Sequence, residues 1–147
     1  MITVKNKQRR IAVDVPHLKK DAHTILHILK YEDFDLGIAL VTNAVMQTYN
    51  RTYRKKDAPT DVLSFPYHEV AAGKRIKPLS EDDKNLGDIV LAPAYIATQA
   101  KGLGVSFEHQ LRVLLVHGIC HLLGYDHILD ADFRVMRRKE LAILRQL

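Results

Sequence analysis

Three histidines in the last third of the chain are spaced so that they could bind one metal ion. The segment His117-Gly-Ile-Cys-His121-Leu-Leu-Gly124-Tyr-Asp-His127 places the first two histidines at positions i and i+4, which lie on one face of a helix. Gly124 can adopt a positive φ angle and turn the chain back, so that His127 reaches the same point. Three imidazoles leave one tetrahedral position open, and the pattern therefore predicts a catalytic zinc site and not a closed structural one.

The spacing HxxxHxxGxxH is similar to that of the metzincin proteases, with one difference. Metzincins carry a glutamate directly after the first histidine, where it serves as the general base, and this chain has Gly118 at that position. We therefore predict a metal site without ordinary peptidase activity. Cys120 points about 100° away from His121 around the helix, so we expect it to pack in the core and not to bind the metal.

The charge of the predicted centre favours an anionic substrate. Three neutral imidazoles leave the double positive charge of the metal uncancelled, and such a site attracts anionic oxygen, including that of phosphodiesters. The run from Arg51 to Lys56 is basic, and Arg54 could hold a phosphate with its guanidinium group or could be a solvated loop residue. The formal net charge of +5 fits either a polyanionic partner or plain solvated surface.

The elements that would position these residues predict a single α+β domain over residues 1–147, with about five helices packed on a small mixed sheet of about four strands. We expect a strand or hairpin among the first 13 residues and further strands at Phe34–Thr42, Val62–Tyr67 and Gly87–Leu91. Five helices are expected: after Asp14, from an N-cap at Asn43, from Pro93 to Gly102 or Gly104, from Ser106 to about Leu123, and from near Asp130. The last helix carries four apolar residues on one face, which are Phe133, Met136, Ile143 and Leu147. Pro66 suggests a sheet edge or the end of a strand.

The composition excludes several classes of protein. Hydrophobic residues make up 47% of the chain and charged residues 27%, which is typical of a globular domain and not of a disordered one. No apolar run approaches the ~20 residues that cross a bilayer, and the first residues lack the apolar core of a signal peptide. The single cysteine, Cys120, cannot form an intrachain disulfide, which fits a reducing compartment. We therefore expect a cytoplasmic protein without a membrane partner.

The histidine segment resembles the HGxxHLxGYDH motif of the YbeY family of ribosomal-RNA-maturation endoribonucleases. Two other stretches agree with that family. Residues 50–66, NRTYRKKDAPTDVLSFP, match its NxxYRxxDxPTDVLSFP stretch, and residues 86–89 match its LGDI stretch. The one departure that we notice is Cys120, where the family more often has an aliphatic residue.

The resemblance implies a hydrolase that cleaves single-stranded RNA and uses one Zn²⁺ per chain. It also implies a role in maturation of small-subunit ribosomal RNA and in ribosome quality control, with the small ribosomal subunit as a partner. By motif position, the metal ligands are His117, His121 and His127, and the functionally important arginine of the family is Arg54.

The general base is not visible in the sequence. Water activated by the metal could suffice, or Asp126 or Asp61 could assist. Asp126 could instead orient a ligand histidine or cap a turn. We expect Asp61, Ser64 and Asp88 to fix the loop and strand that shape the cleft.

Two other functions remain open at this point. The chain could be a non-catalytic ribosome-assembly factor, stabilised by zinc, that binds ribosomal RNA with its basic surface. The apparent open coordination position argues against that hypothesis. It could also be a metal hydrolase for peptides or small phosphoesters, and Gly118 argues against the peptides.

Overall fold

The computed structural model describes residues 1–147, which form one α+β domain. The strands are β1 (Ile2–Asn6), β2 (Asp35–Leu40), β3 (Val62–Pro66) and β4 (Asn85–Leu91). The α-helices are α1 (Val15–Ile28), α2 (Asn43–Arg54), α3 (Pro93–Leu103), α4 (Phe107–Leu122) and α5 (Asp130–Leu144), and a 3₁₀ turn covers Glu81–Asp83. None of these helices combines the length and apolar character that crossing a bilayer requires.

The sheet is mixed, with the strand order β1-β2-β4-β3. Strands β1, β2 and β4 run parallel, and β3 pairs antiparallel with β4 at one edge. Pro66 ends this edge strand, as the missing N–H of proline predicts. The predicted architecture of about four strands in a mixed sheet with about five helices is confirmed.

Helix α4 packs directly on the sheet at Gly118. A Cβ atom at this position would lie 3.2 Å from two side-chain carbons of Ile89 on β4, closer than most Cβ contacts, so any larger residue would require the Ile89 side chain to shift. The hydroxyl of Ser64 on β3 donates a hydrogen bond to the carbonyl oxygen of Gly118 at 3.1 Å. Two neighbouring strands therefore fix the part of the helix that carries His117 and His121.

The chain reverses direction directly after α4. Leu123 caps the helix, and Gly124 follows with a φ angle of +92°, in the left-handed region that favours glycine. A Cβ atom on Gly124 would also collide with the backbone carbonyl oxygen of Val70. Glycine is therefore needed here both for its backbone angle and for its size, and the turn brings His127 back towards α4.

Helix α5 buries one face, and that face contains a carboxylate. Met136 and Ile143 are buried as predicted, and Glu140 between them is also buried. The prediction for Phe133 is wrong, because its side chain is 54% exposed. It belongs to the first turn of the helix, where the buried face has not yet begun.

Of the strand or hairpin expected among the first residues, the strand is present as β1 (Ile2–Asn6) and no hairpin forms. The buried side chain of Gln8 bonds both the backbone N–H and the carbonyl oxygen of Ile11 and holds these residues as a loop. One other local expectation is wrong. The N-cap of α2 is Thr42 and not Asn43, since the Thr42 hydroxyl accepts the hydrogen bond from the Val45 N–H at 3.3 Å.

We predict that Gly124→Ala destabilises the domain by about 1–3 kcal/mol from backbone strain alone, with the collision at Val70 adding to that cost. Gly102→Ala is the matched control, since Gly102 lies in α3, has no heavy atom within 4 Å of an added Cβ and has no positive φ angle. This control should gain up to about 1 kcal/mol from helix propensity. Chemical denaturation of both variants measures the difference, and equal stabilities would contradict the role given to Gly124.

Candidate metal centre

The three histidines singled out by their spacing converge on one point. The Nε2 atoms of His117 and His121 lie 3.0 Å apart, and one ring nitrogen from each of the three histidines lies within 4.8 Å of the others. Nitrogen ligands of a tetrahedral zinc ion stand about 3.3 Å apart, given bonds of about 2.0–2.1 Å. The separations in the cluster therefore suit a metal ion, and the three residues could hold one.

Burial keeps the central histidine of this cluster neutral. Desolvation lowers the pKa of His121 from 6.5 to about 4, and the neighbouring His117 and His127 lower it further in the same direction. A neutral imidazole has a free lone pair, which is the form that binds a metal. The electrostatics thus disfavour a proton at the point where a cation would be held.

A carboxylate that sequence reasoning missed contacts the cluster. The Nδ1 atom of His117 lies 3.0 Å from Oε2 of Glu140 on α5, and the two side chains are only 24% and 9% exposed. Glu140 lies four residues after Met136 and three before Ile143, on the buried face of its helix. A carboxylate at helical spacing between two apolar core positions was the signal in the sequence that could have identified it.

A cavity of about 470 Å³ opens in front of the histidines, and Arg54 lines it together with them. Arg54 is the last residue of α2, and its Nη2 atom donates a hydrogen bond to the carbonyl oxygen of Ser64 at 3.4 Å. The loop after α2 is anchored by Asn50, whose Nδ2 donates to the carbonyl oxygen of Ala58 at 2.9 Å. A guanidinium group and three imidazoles thus face the same space.

The loop wall of the cavity is held by Asp61. Its Oδ1 atom accepts a hydrogen bond from the N–H of Val62 at 2.7 Å, and its Oδ2 accepts one from Gln99 at 3.0 Å. Gln99 in turn accepts from Gln110 at 2.9 Å. This chain of bonds ties the loop before β3 to helices α3 and α4.

The other two aspartates singled out from the sequence lie in different surroundings. The Oδ1 atom of Asp126 accepts a hydrogen bond from the N–H of Ile128 at 3.3 Å, which caps the turn that carries His127. Asp88 lies apart from the histidines, in a concavity of about 600 Å³ that it shares with Phe65 and Gly37.

Cys120 packs in the core, as expected from its direction around the helix. Its side chain is fully buried, and burial raises the pKa of the thiol to about 12, with the Glu140 carboxylate adding to the rise. The sulfur therefore stays protonated at neutral pH and does not compete as a metal ligand, because only the thiolate binds.

We predict that the metal-free protein loses stability as the pH falls from 6.5 to about 4. In this range the unfolded chain protonates His121 while the folded chain resists, because the pKa of His121 is lower in the folded state. Denaturation in the presence of a chelator measures this dependence. His121→Gln, which cannot take up the proton, should show a shallower loss over the same pH range, and identical pH profiles for the two proteins would contradict the prediction.

Comparison with known proteins shows which family this chain resembles. The family model described as Endoribonuclease YbeY matches residues 3–147. A human protein named Endoribonuclease YbeY is 42% identical over 147 residues, covering 99% of this chain and 87% of the human one. A protein of the same name from Carboxydothermus hydrogenoformans is 40% identical over 149 residues, covering 100% of this chain and 97% of that one.

The fold also has a counterpart among solved structures. The solution structure of a Thermotoga maritima protein is similar, with a TM-score of 0.60 and 24% sequence identity, over 99% of this chain and 91% of that one. Since a family match over residues 3–147 and relatives of 38–42% identity agree, the chain belongs to the YbeY family of endoribonucleases.

Proposed function

We propose that residues 1–147 act as a single metal-dependent endoribonuclease domain that hydrolyses phosphodiester bonds of single-stranded RNA. The observation that carries the proposal is one cavity in which three histidines able to hold a metal ion face the guanidinium group of Arg54. A metal cation and a guanidinium group that face the same cavity suit a phosphodiester, because both can bind its negatively charged non-bridging oxygens. Relatives named as endoribonucleases support RNA as the substrate.

The proposed metal is one Zn²⁺ per chain, held by His117, His121 and His127. Three neutral nitrogen donors at a helix and its following turn suit zinc, and catalytic zinc sites commonly have three protein ligands. When bound, zinc supplies Lewis acidity towards a phosphoryl oxygen and towards water. Without that ion, the histidines only define the position at which the reaction takes place.

Arg54 would bind the scissile phosphate and stabilise the negative charge that develops on it. The Arg54 side chain makes one hydrogen bond within the protein, from Nη2 to the carbonyl oxygen of Ser64. A guanidinium group carries five N–H donors in all. The remaining donors are available to a phosphate in the cavity. Donors oriented in advance towards developing charge are usually the largest single contribution to catalysis.

Asp61 has a supporting role in this proposal. Both of its carboxylate oxygens already accept hydrogen bonds within the protein, which favours a role in holding the cavity wall over proton transfer. Asp126 likewise supports the turn that carries His127.

The biological role that we propose is maturation of small-subunit ribosomal RNA and ribosome quality control, in the cytoplasm, with the small ribosomal subunit as a partner. Membership of the family supports the RNA substrate, and the net charge of +5 suits a polyanion. The only cysteine is a buried free thiol, which suits a reducing compartment. The alternative, a non-catalytic zinc-stabilised assembly factor, is not favoured by the names of the relatives or by the open cavity in front of the histidines.

We predict that Arg54→Ala lowers cleavage of single-stranded ribosomal RNA by about 10²-fold, the size of effect seen when one donor to a developing charge is removed. Zinc content should not change, because Arg54 is not a ligand. Arg51→Ala is the matched control, since Arg51 lies one turn earlier on α2 and pairs with the exposed Asp57 at 3.4 Å. The measurement is the cleavage rate of a labelled single-stranded fragment, with a duplex of the same sequence beside it.

Loss of cleavage in Arg54→Ala with normal cleavage in Arg51→Ala supports the assigned role. Normal cleavage in both variants would remove Arg54 from the mechanism. RNA binding without cleavage in the zinc-loaded wild type would favour the assembly factor.

We also predict that removal of the metal abolishes cleavage and that zinc restores it at one ion per chain. Neutral imidazoles carry no positive charge with which to polarise a phosphoryl oxygen, so the proposed mechanism needs the cation that the three histidines would hold. Elemental analysis and titration with zinc after chelation measure both effects. His121→Ala, prepared identically, should neither retain zinc nor regain activity, and cleavage by this variant would indicate a contaminating nuclease.

A further inference from the structure

A buried acidic side chain contacts one basic side chain in this protein, and that side chain is a histidine of the candidate metal centre. The Glu140 side chain is 9% exposed, and its Oε2 atom lies 3.0 Å from Nδ1 of His117. No lysine or arginine lies within ion-pairing distance of its carboxylate, although Lys139 is its neighbour in the chain. A buried carboxylate is costly unless it is paired and hydrogen-bonded, so its contact with His117 needs an explanation.

The geometry distinguishes the two nitrogens of the His117 ring. Nδ1 faces Glu140, and Nε2 faces Nε2 of His121 at 3.0 Å. A carboxylate can only accept a hydrogen bond, so the proton of the neutral ring must lie on Nδ1. The lone pair of Nε2 is then free and points to the place where the three histidines meet.

We propose that Glu140 is a positioning residue for the metal centre, which fixes the tautomer and the orientation of His117 so that Nε2 is presented to the ion. The inference rests on the metal centre of the proposed function and adds a residue from α5 to it. Carboxylates that accept the free N–H of a metal-binding histidine orient the ring and raise its basicity. The sequence left two roles open for Asp126, orienting a ligand histidine or capping a turn, and its carboxylate accepts the N–H of Ile128 as a turn cap does.

The placement of Glu140 also changes the charge at the centre. Three neutral imidazoles leave the full charge of a divalent ion, and a carboxylate hydrogen-bonded to one of them offsets part of it. Because the pair is largely shielded from solvent, this effect is weakly screened by salt. Glu140 would therefore stabilise the bound ion without occupying one of its coordination positions.

The test is the zinc affinity of the full chain, measured by competition with a chromophoric chelator. Glu140→Gln keeps the shape of the side chain and removes its charge, and we expect its zinc affinity to fall about 10–100-fold, the usual effect of losing such a partner. Asp126→Asn removes the charge of the other nearby carboxylate but keeps an Oδ1 acceptor for the N–H of Ile128, so this variant should bind zinc as tightly as the wild type.

Ile143→Ala controls for general weakening of α5. Ile143 is buried on the same face of the helix, and its truncation should cost about 2–5 kcal/mol in folding free energy. Its zinc affinity, measured below the onset of unfolding, should stay unchanged, since the partner of His117 remains in place. If this variant lost zinc affinity as Glu140→Gln does, the role of Glu140 would be structural only.

A second readout reports the tautomer directly. In histidine ¹⁵N NMR spectra of the metal-free protein at alkaline pH, we expect the proton of the neutral His117 ring on Nδ1 in the wild type and a mixture of the two tautomers in Glu140→Gln. A proton on Nε2 of the wild-type ring, or equal zinc affinity in Glu140→Gln and wild type, would overturn the inference. Failure of the wild type itself to bind zinc would instead overturn the proposed metal centre, so the two failures are distinguishable.

Discussion

The structure depends on one helix that must both pack in the core and present two polar side chains to a cavity. Helix α4 forms much of the core, with Leu115, Val116 and Ile119 completely buried, and it also carries two imidazoles that must stay accessible to a ligand. An apolar helix with polar groups in its middle is costly unless those groups have partners. The contact between Gly118 and Ile89 brings the helix onto the sheet, and this close approach leaves the histidines at the border between core and cavity.

The same contact accounts for the main chemical difference from metzincin proteases. The position after the first histidine faces β4 in this chain, where even a Cβ atom would be tightly placed. A glutamate there would meet the sheet and not the metal. The absence of the peptidase base is therefore part of how the domain is packed, and the function is left to groups on other elements, such as Arg54 at the end of α2.

Local signals predicted much of this structure, and long-range contacts account for what they missed. The histidine spacing and Gly124 were sufficient to predict convergence of the three rings, because a helix and a turn fix the geometry over eleven residues. Glu140 lies 23 residues from His117, and Ser64 lies 54 residues from Gly118. Such pairings depend on how α5 and the sheet pack against α4, which no local pattern contains.

The burial of Cys120 has a consequence for which metals the centre admits. A thiolate beside three imidazoles would attract soft ions such as monovalent copper, which prefer sulfur ligands. The sulfur here is enclosed among core side chains and keeps its proton, with a pKa of about 12. The ligand atoms available at the centre are therefore the three imidazole nitrogens, which favour an ion of borderline softness. The burial of Cys120 also protects its thiol from alkylating and oxidising reagents.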